Sequence, residues 1–88
     1  MPHNPPYIAQ IAIDRTSSTP LHAQIAEPLA KLIEDGAIEP GTRLEDEVSM
    51  AERLKVSRPT ARRAMETLTN RGLIVRRRGA GTQVTPTR

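Results

Sequence analysis

SRPTARRAMETLTNRGLIVRRRGAGTQV, residues 57–84, places a capped helix, its stop and a hairpin in one continuous run. Ser57 is a residue type whose side-chain oxygen accepts from the free N–H groups of a helix start, and Pro59 is tolerated in a first turn, where its missing N–H has no partner to lose. Ala61, Ala64, Met65 and Leu68 then fall on one side at helical spacing, with Pro59, Arg62, Arg63, Glu66 and Asn70 opposite and Arg58 at the border. Gly72 ends the helix. Leu73-Ile74-Val75-Arg76-Arg77 reads as a strand, turned by Arg78-Gly79-Ala80-Gly81 into a second, Thr82-Gln83-Val84-Thr85, which Pro86 stops.

The charge is as uneven as the pattern. Residues 51–88 carry ten Lys and Arg against Glu52 and Glu66, whereas residues 1–50 carry three against eight acids. The net charge of +3 hides this polarity. One-sided basic charge is the electrostatic footprint of a polyanion partner.

Composition narrows the classes. A chain of 88 residues supports one domain. A domain of that size buries only about 60% of its unfolded surface, too little to enclose a deep catalytic pocket. With no Cys, disulfides and thiolate metal sites are excluded, which agrees with a cytoplasmic location. No apolar run approaches the roughly 18 residues of a membrane span, so no membrane partner is expected. Tyr7 is the only aromatic residue. Without stacking platforms for single strands or splayed RNA bases, duplex DNA is the better polyanion.

Upstream, residues 1–18 read as an irregular arm or a short strand: Pro2, Pro5 and Pro6 break any helix, yet Ala9, Ile11 and Ile13 alternate with polar or small neighbours. Arg15 is the arm's only cation, fewer than a minor-groove arm needs. The compact unit spans 19–85, leaving 86–88 as the start of a linker or tail. A first helix is predicted to open with Thr19 as N-cap and Pro20 at the first helical position. It carries Leu21, Ile25, Leu29, Leu32 and Ile33 and stops at Gly36. Pro28 lies inside it; because the apolar stripe continues in phase on both sides, a kink is expected rather than a break. Glu39-Pro40-Gly41 is a turn. Asp46 caps a short second helix with Met50, Ala51 and Leu54 on one face, and Glu45, Asp46 and Glu47 crowd its positive end. The competing reading of those acids is a metal or catalytic cluster, which has no His or Cys nearby to complete it. No catalytic residue, metal site or cofactor is assigned. Lys55 and Val56 form the turn into the helix that Ser57 caps.

Three helices, the last two joined by a tight turn, followed by a two-stranded hairpin make a winged helix-turn-helix, mainly α with a small β wing. The major groove admits one helix, and the N-terminal residues of the third helix are the ones presented to base edges. Arg58 and Arg62 are one turn apart, and each guanidinium fork matches guanine O6 and N7. Ser57 and Thr60, with the helix-start N–H groups, are placed to bond phosphate. At the wing, Gly79 and Gly81 let backbone approach a narrow groove while Arg76, Arg77 and Arg78 supply cations around it. The competing reading is a winged-helix module whose basic face docks an acidic protein. A hydrolase would rest only on His3, His22 and scattered carboxylates.

From Pro20 to Val84 the chain resembles the N-terminal DNA-binding domain of the GntR family of bacterial transcriptional regulators. The resemblance rests on PLHAQIAEPLAKLIEDGAIEPGTRL, then Glu47, then MAERLKVSRPTARRAMETLTNRGLIVRRRGAGTQV. Within these lie an I-x-x-G-x-x-x-P-G-x-x-L lead-in, the SRPT-x-R-x-A helix and the G-L-I…G-x-G-T…V wing. It implies that Arg58 and Arg62 read bases, that Thr60 holds phosphate, and that Gly79 and Ala80 approach the minor groove of an operator. The chain departs from the family at Val48, where an arginine is usual, and at Pro28, Ala80 and Gln83. The resemblance also implies a homodimer formed through a C-terminal effector domain, whose linker would begin at Thr85-Pro86-Thr87-Arg88.

Overall fold

In the computed structural model, which describes residues 11–79 and 81–86, three helices precede one hairpin. They are α1 (Leu21–Glu34), α2 (Glu47–Leu54) and α3 (Arg58–Asn70), followed by β1 (Ile74–Arg77) and β2 (Gly81–Val84).

Helix α1 corrects the expected start. Pro20, not Thr19, occupies the N-cap, with no side-chain cap bond, and its carbonyl accepts from Ala23 N (3.0 Å) and Gln24 N (3.1 Å). A proline supplies that carbonyl as well as any residue. Thr19 instead offers its own carbonyl to Gln24 Nε2 at 2.8 Å. The helix runs unbroken through Pro28 because Ile25, Ala26, Leu29, Ala30 and Ile33 are buried on both sides of it, and that burial outweighs the local cost. Gly36 ends it at φ +84°, a conformation that glycine adopts without penalty.

Helix α2 starts as its acids require: the Asp46 carboxylate accepts from Ser49 N at 2.7 Å. It ends at Lys55 in the left-handed region (φ 58°), and the chain turns at once into α3. Arg15 donates from its guanidinium to the Lys55 carbonyl, placing a cation on the negative end of α2. Ser57 caps α3, its oxygen accepting from Thr60 N at 3.2 Å.

The core lies where α1 and α2 pack on α3 and the hairpin closes the end. Ile25, Leu29, Met50, Leu68, Ile74 and Val84 are its largest fully buried side chains. Ile11 joins them and Ile13 packs at the edge, although residues 11–19 form no strand. Residues 1–10, with the expected alternation at Ala9, lie outside the described residues.

β1 begins one residue later than the sequence expectation and ends as expected at Arg77, whereas β2 begins and ends one residue earlier. Val84 pairs with Ile74 and Gly81 with Arg77, so Gly81 belongs to β2 and the connection shortens to residues 78–80. A third segment also joins the wing. Gly41 N donates to the Val84 carbonyl (2.9 Å), Val84 N to Thr42 (2.8 Å) and Leu44 N to Thr82 (2.8 Å), so residues 42–44 cover the outer edge of β2. An uncovered edge would present unpaired backbone groups to other chains.

Candidate nucleic-acid interface

On α3 the buried side is Ala61, Ala64, Met65 and Leu68, and Arg58, Pro59, Arg62 and Arg63 are exposed on the remainder, as the spacing requires. Ser57 and Thr60 are held differently from two independent phosphate ligands. Their hydroxyls lie 2.8 Å apart and share a hydrogen bond, in addition to the cap from Thr60 N. One hydroxyl proton is consumed between them, so the pair retains one to donate outward.

The wing arginines, grouped together by sequence, are separated by the sheet. Alternate residues share a face in a pleated strand. Ile74, Thr82 and Val84 are buried against the helices, and Arg76, on their face, points to α2 and α3. Arg77 is on the opposite face with Val75, Gly81 and Gln83. Arg43, which the sequence reading passed over, shares that outer face through its bridge to Gln83. Its guanidinium lies against Gly81, where a Cβ would stand 3.3 Å from Arg43 Nε. Gly81 (φ +79°) therefore serves both the backbone turn and the room for Arg43. Gly79 is exposed at φ +81° beside Arg78; Ala80 lies outside the described residues.

Charge pairing sorts the cations further. Glu47 Oε1 accepts from Arg62 Nε at 3.3 Å, and Glu47 Oε2 lies 3.9 Å from Arg76 Nη2. One carboxylate thus joins the start of α2, the middle of α3 and the wing. Arg71 sits 3.7 Å from Glu27 and 3.8 Å from Glu34, tying the end of α3 to α1 and away from the exposed arginine face. Among the described residues, Arg43, Arg58, Arg63, Arg77 and Arg78 have no carboxylate within 4.0 Å.

The three acids before α2 have separate tasks. Asp46 caps, and the Ser49 backbone N–H, with a smaller contribution from the charge of Arg43, holds its carboxyl below the ordinary value. Glu45 pairs with Arg53 at 2.7 Å. Capping therefore explains one acid of the three. The metal-cluster alternative has no support among the described residues, where no group of three His, Cys, Asp or Glu side chains converges. Nor is any described helix long and apolar enough to cross a membrane.

The sequence-predicted residues thus come together as two adjoining surfaces: the start of α3, and a wing whose arginines are divided between two faces. Between the wing and the start of α2 runs a groove lined by Arg43, Asp46, Ser49, Arg77, Arg78 and Gly79. The residues missed were Arg43 and Glu47 in this setting. Their signal is pairing across the fold rather than any local pattern.

Helix-turn-helix, covered wing and clustered exposed arginines define a winged helix-turn-helix domain of the type found in transcriptional regulators. Residues 21–84 match the model of the family described as bacterial regulatory proteins, gntR family, and the chain belongs to it. It is 39% identical over 72 residues to the HTH-type transcriptional repressor NagR of Bacillus subtilis, covering 82% of this chain and 30% of that protein. Among solved structures it is similar to YtrA from Sulfolobus acidocaldarius, a GntR-family transcription factor, with a TM-score of 0.78 and 33% identity over 85% of this chain and 79% of that one. It is also similar to the DNA-binding domain of AraR in complex with operator ORR3, with a TM-score of 0.64 and 33% identity over 73% and 77% of the two chains. The chain spans under a third of the length of the curated relatives it matches.

Proposed function

We propose that residues 19–85 bind operator DNA for a transcriptional regulator in the cytoplasm, with no catalytic role, α3 entering the major groove and the wing meeting the adjacent minor groove. The observation that carries this is that exposed Arg62 of α3 and Arg76 of the hairpin meet at one carboxylate, Glu47, in a fold shared with an operator-bound domain. Arg58 and Arg62 read base edges through their guanidinium forks. Pro59 and Arg63 flank them, and the Ser57 and Thr60 pair donates its remaining proton to phosphate. Arg77 and Arg78 hold backbone at the wing, Arg76 approaches from the helical side, and the sequence segment Gly79-Ala80-Gly81 meets the groove. In the whole regulator we expect a homodimer joined by a C-terminal effector domain, which sets two half-sites about one helical turn apart.

Selection of bound fragments from a random duplex pool tests this reading. A short recurring motif is expected, with affinity that falls steeply as salt rises because phosphate contacts release counterions. Recovery of a pool no different from the input would overturn it. An acidic-protein docking module would give that outcome with no steep salt slope.

A further inference from the structure

Glu47 is the only described acid whose carboxylate pairs with an arginine of α3's exposed face and an arginine of the wing at once. It is also the most sheltered member of that trio: its side chain is 23% exposed, against 57% for Arg62 and 75% for Arg76. The more buried side chain has fewer conformations open to it, so it is the anchor against which the two exposed ones are held. The bond to Arg62 uses Nε, at 3.3 Å, which leaves both terminal amino groups of that guanidinium unclaimed. An arginine held at Nε presents its outer edge, two N–H groups side by side, in one direction.

A carboxylate so close to a polyanion site carries a cost as well. It repels phosphate, and it occupies two cations that would otherwise attract any duplex. The two effects act on different quantities. Repulsion lowers binding to every sequence, whereas orientation of Arg62 acts only where a correctly placed base edge meets it.

We propose that Glu47 is a positioning residue that sets sequence discrimination: it aims Arg62 from behind and ties the wing to α3 through Arg76, lowering general DNA affinity while raising the preference for the right site. This rests on the reading that Arg62 contacts bases.

A double-mutant cycle on this domain tests it, using the tightest duplex recovered from a random pool and a random duplex of equal length. Glu47→Gln should bind the random duplex more tightly with a steeper salt slope, by up to about one unit. Its preference for the selected duplex should fall by roughly fivefold, the scale of a partly exposed ion pair. In an Arg62→Ala background the same change should leave the preference unaltered. Glu47→Asp keeps the charge but shortens the reach, so it should lose preference while gaining less random-duplex affinity than Glu47→Gln. Glu52→Gln, an exposed acid further along α2, reports the effect of bare charge, and thermal unfolding of each variant confirms that the domain is folded. If Glu47→Gln tightens both duplexes equally, the carboxylate only repels DNA and the proposal is wrong. It is equally wrong if the loss of preference is the same with and without Arg62. Should Arg62→Ala alone leave the preference intact, base reading by Arg62 fails first and this inference fails with it.

Discussion

Arg58 and Arg62 are one turn apart on α3 and chemically identical, yet their surroundings differ. Arg58 has no carboxylate within 4.0 Å among the described residues, and Arg62 is held by Glu47 at 3.3 Å. A free guanidinium gives up side-chain entropy when it binds, and a held one has lost part of it already. The same distinction between local and distant partners decides what could be read from the sequence. Ser57 and Asp46 were legible as caps because their acceptor–donor pairs span three residues. Arg15 on Lys55 and Glu47 on Arg62 and Arg76 were not, since those partners meet only once the helices pack. Asp46 also yields a prediction. Its carboxyl is held below the ordinary value of 3.8, as is that of Asp14 through its bonds from Thr16. A depressed acid stabilises the fold above its unfolded value and loses that contribution as pH falls through the folded one. Thermal stability should therefore be flat from neutrality to about pH 5 and decline below about pH 4. Asp46→Asn, which keeps a good cap without the titration, should reduce the decline, and a melting series over pH reads it directly.

Among the elements, α1 carries the largest local conflict. Pro28 lies in its interior, removes the hydrogen bond that residue 28 would make to the Gln24 carbonyl, and crowds that carbonyl with its ring. The helix persists because its buried stripe is continuous. Continuity of that stripe was legible from spacing, and so was the persistence of the helix. Pro28→Ala should restore the bond and stabilise the domain by about 1–3 kcal/mol, a rise in melting temperature of roughly 5 °C or more. An unchanged or lower melting temperature would show that the proline is accommodated without strain. The wing was legible as a hairpin but not in its full extent. Residues 42–44 follow a recognisable Pro-Gly turn, yet three residues are too few to show an alternating pattern, and only their hydrogen bonds to the edge of β2 hold them extended around a single bridge at Arg43. Arg43 was missed for that reason. The earlier start that brings Gly81 into β2 has a similar origin, because the register set by pairing Ile74 with Val84 places Gly81 opposite Arg77.

At the scale of the molecule, the basic half of the sequence does not form one uniform basic surface. Arg71 turns toward the acids of α1, Arg53 toward Glu45 and Arg76 toward Glu47, while Arg58, Arg63, Arg77, Arg78 and Arg43 stay open. Folding thus reduces a run of cations to two open groups, one at α3 and one on the outer face of the wing. If α3 reads sequence and the wing holds backbone, substitutions in the two groups should fail differently. The measurement is a titration of the selected and random duplexes at several salt concentrations with Arg58→Ala and Arg77→Ala. Arg58→Ala should lower the preference for the selected duplex by roughly fivefold to a hundredfold, the scale of a bidentate guanine contact. Arg77→Ala should weaken both duplexes together and flatten the salt slope by about one unit, with the preference retained. A preference unchanged by Arg58→Ala, or lost with Arg77→Ala alone, would contradict the assignment of base reading to α3.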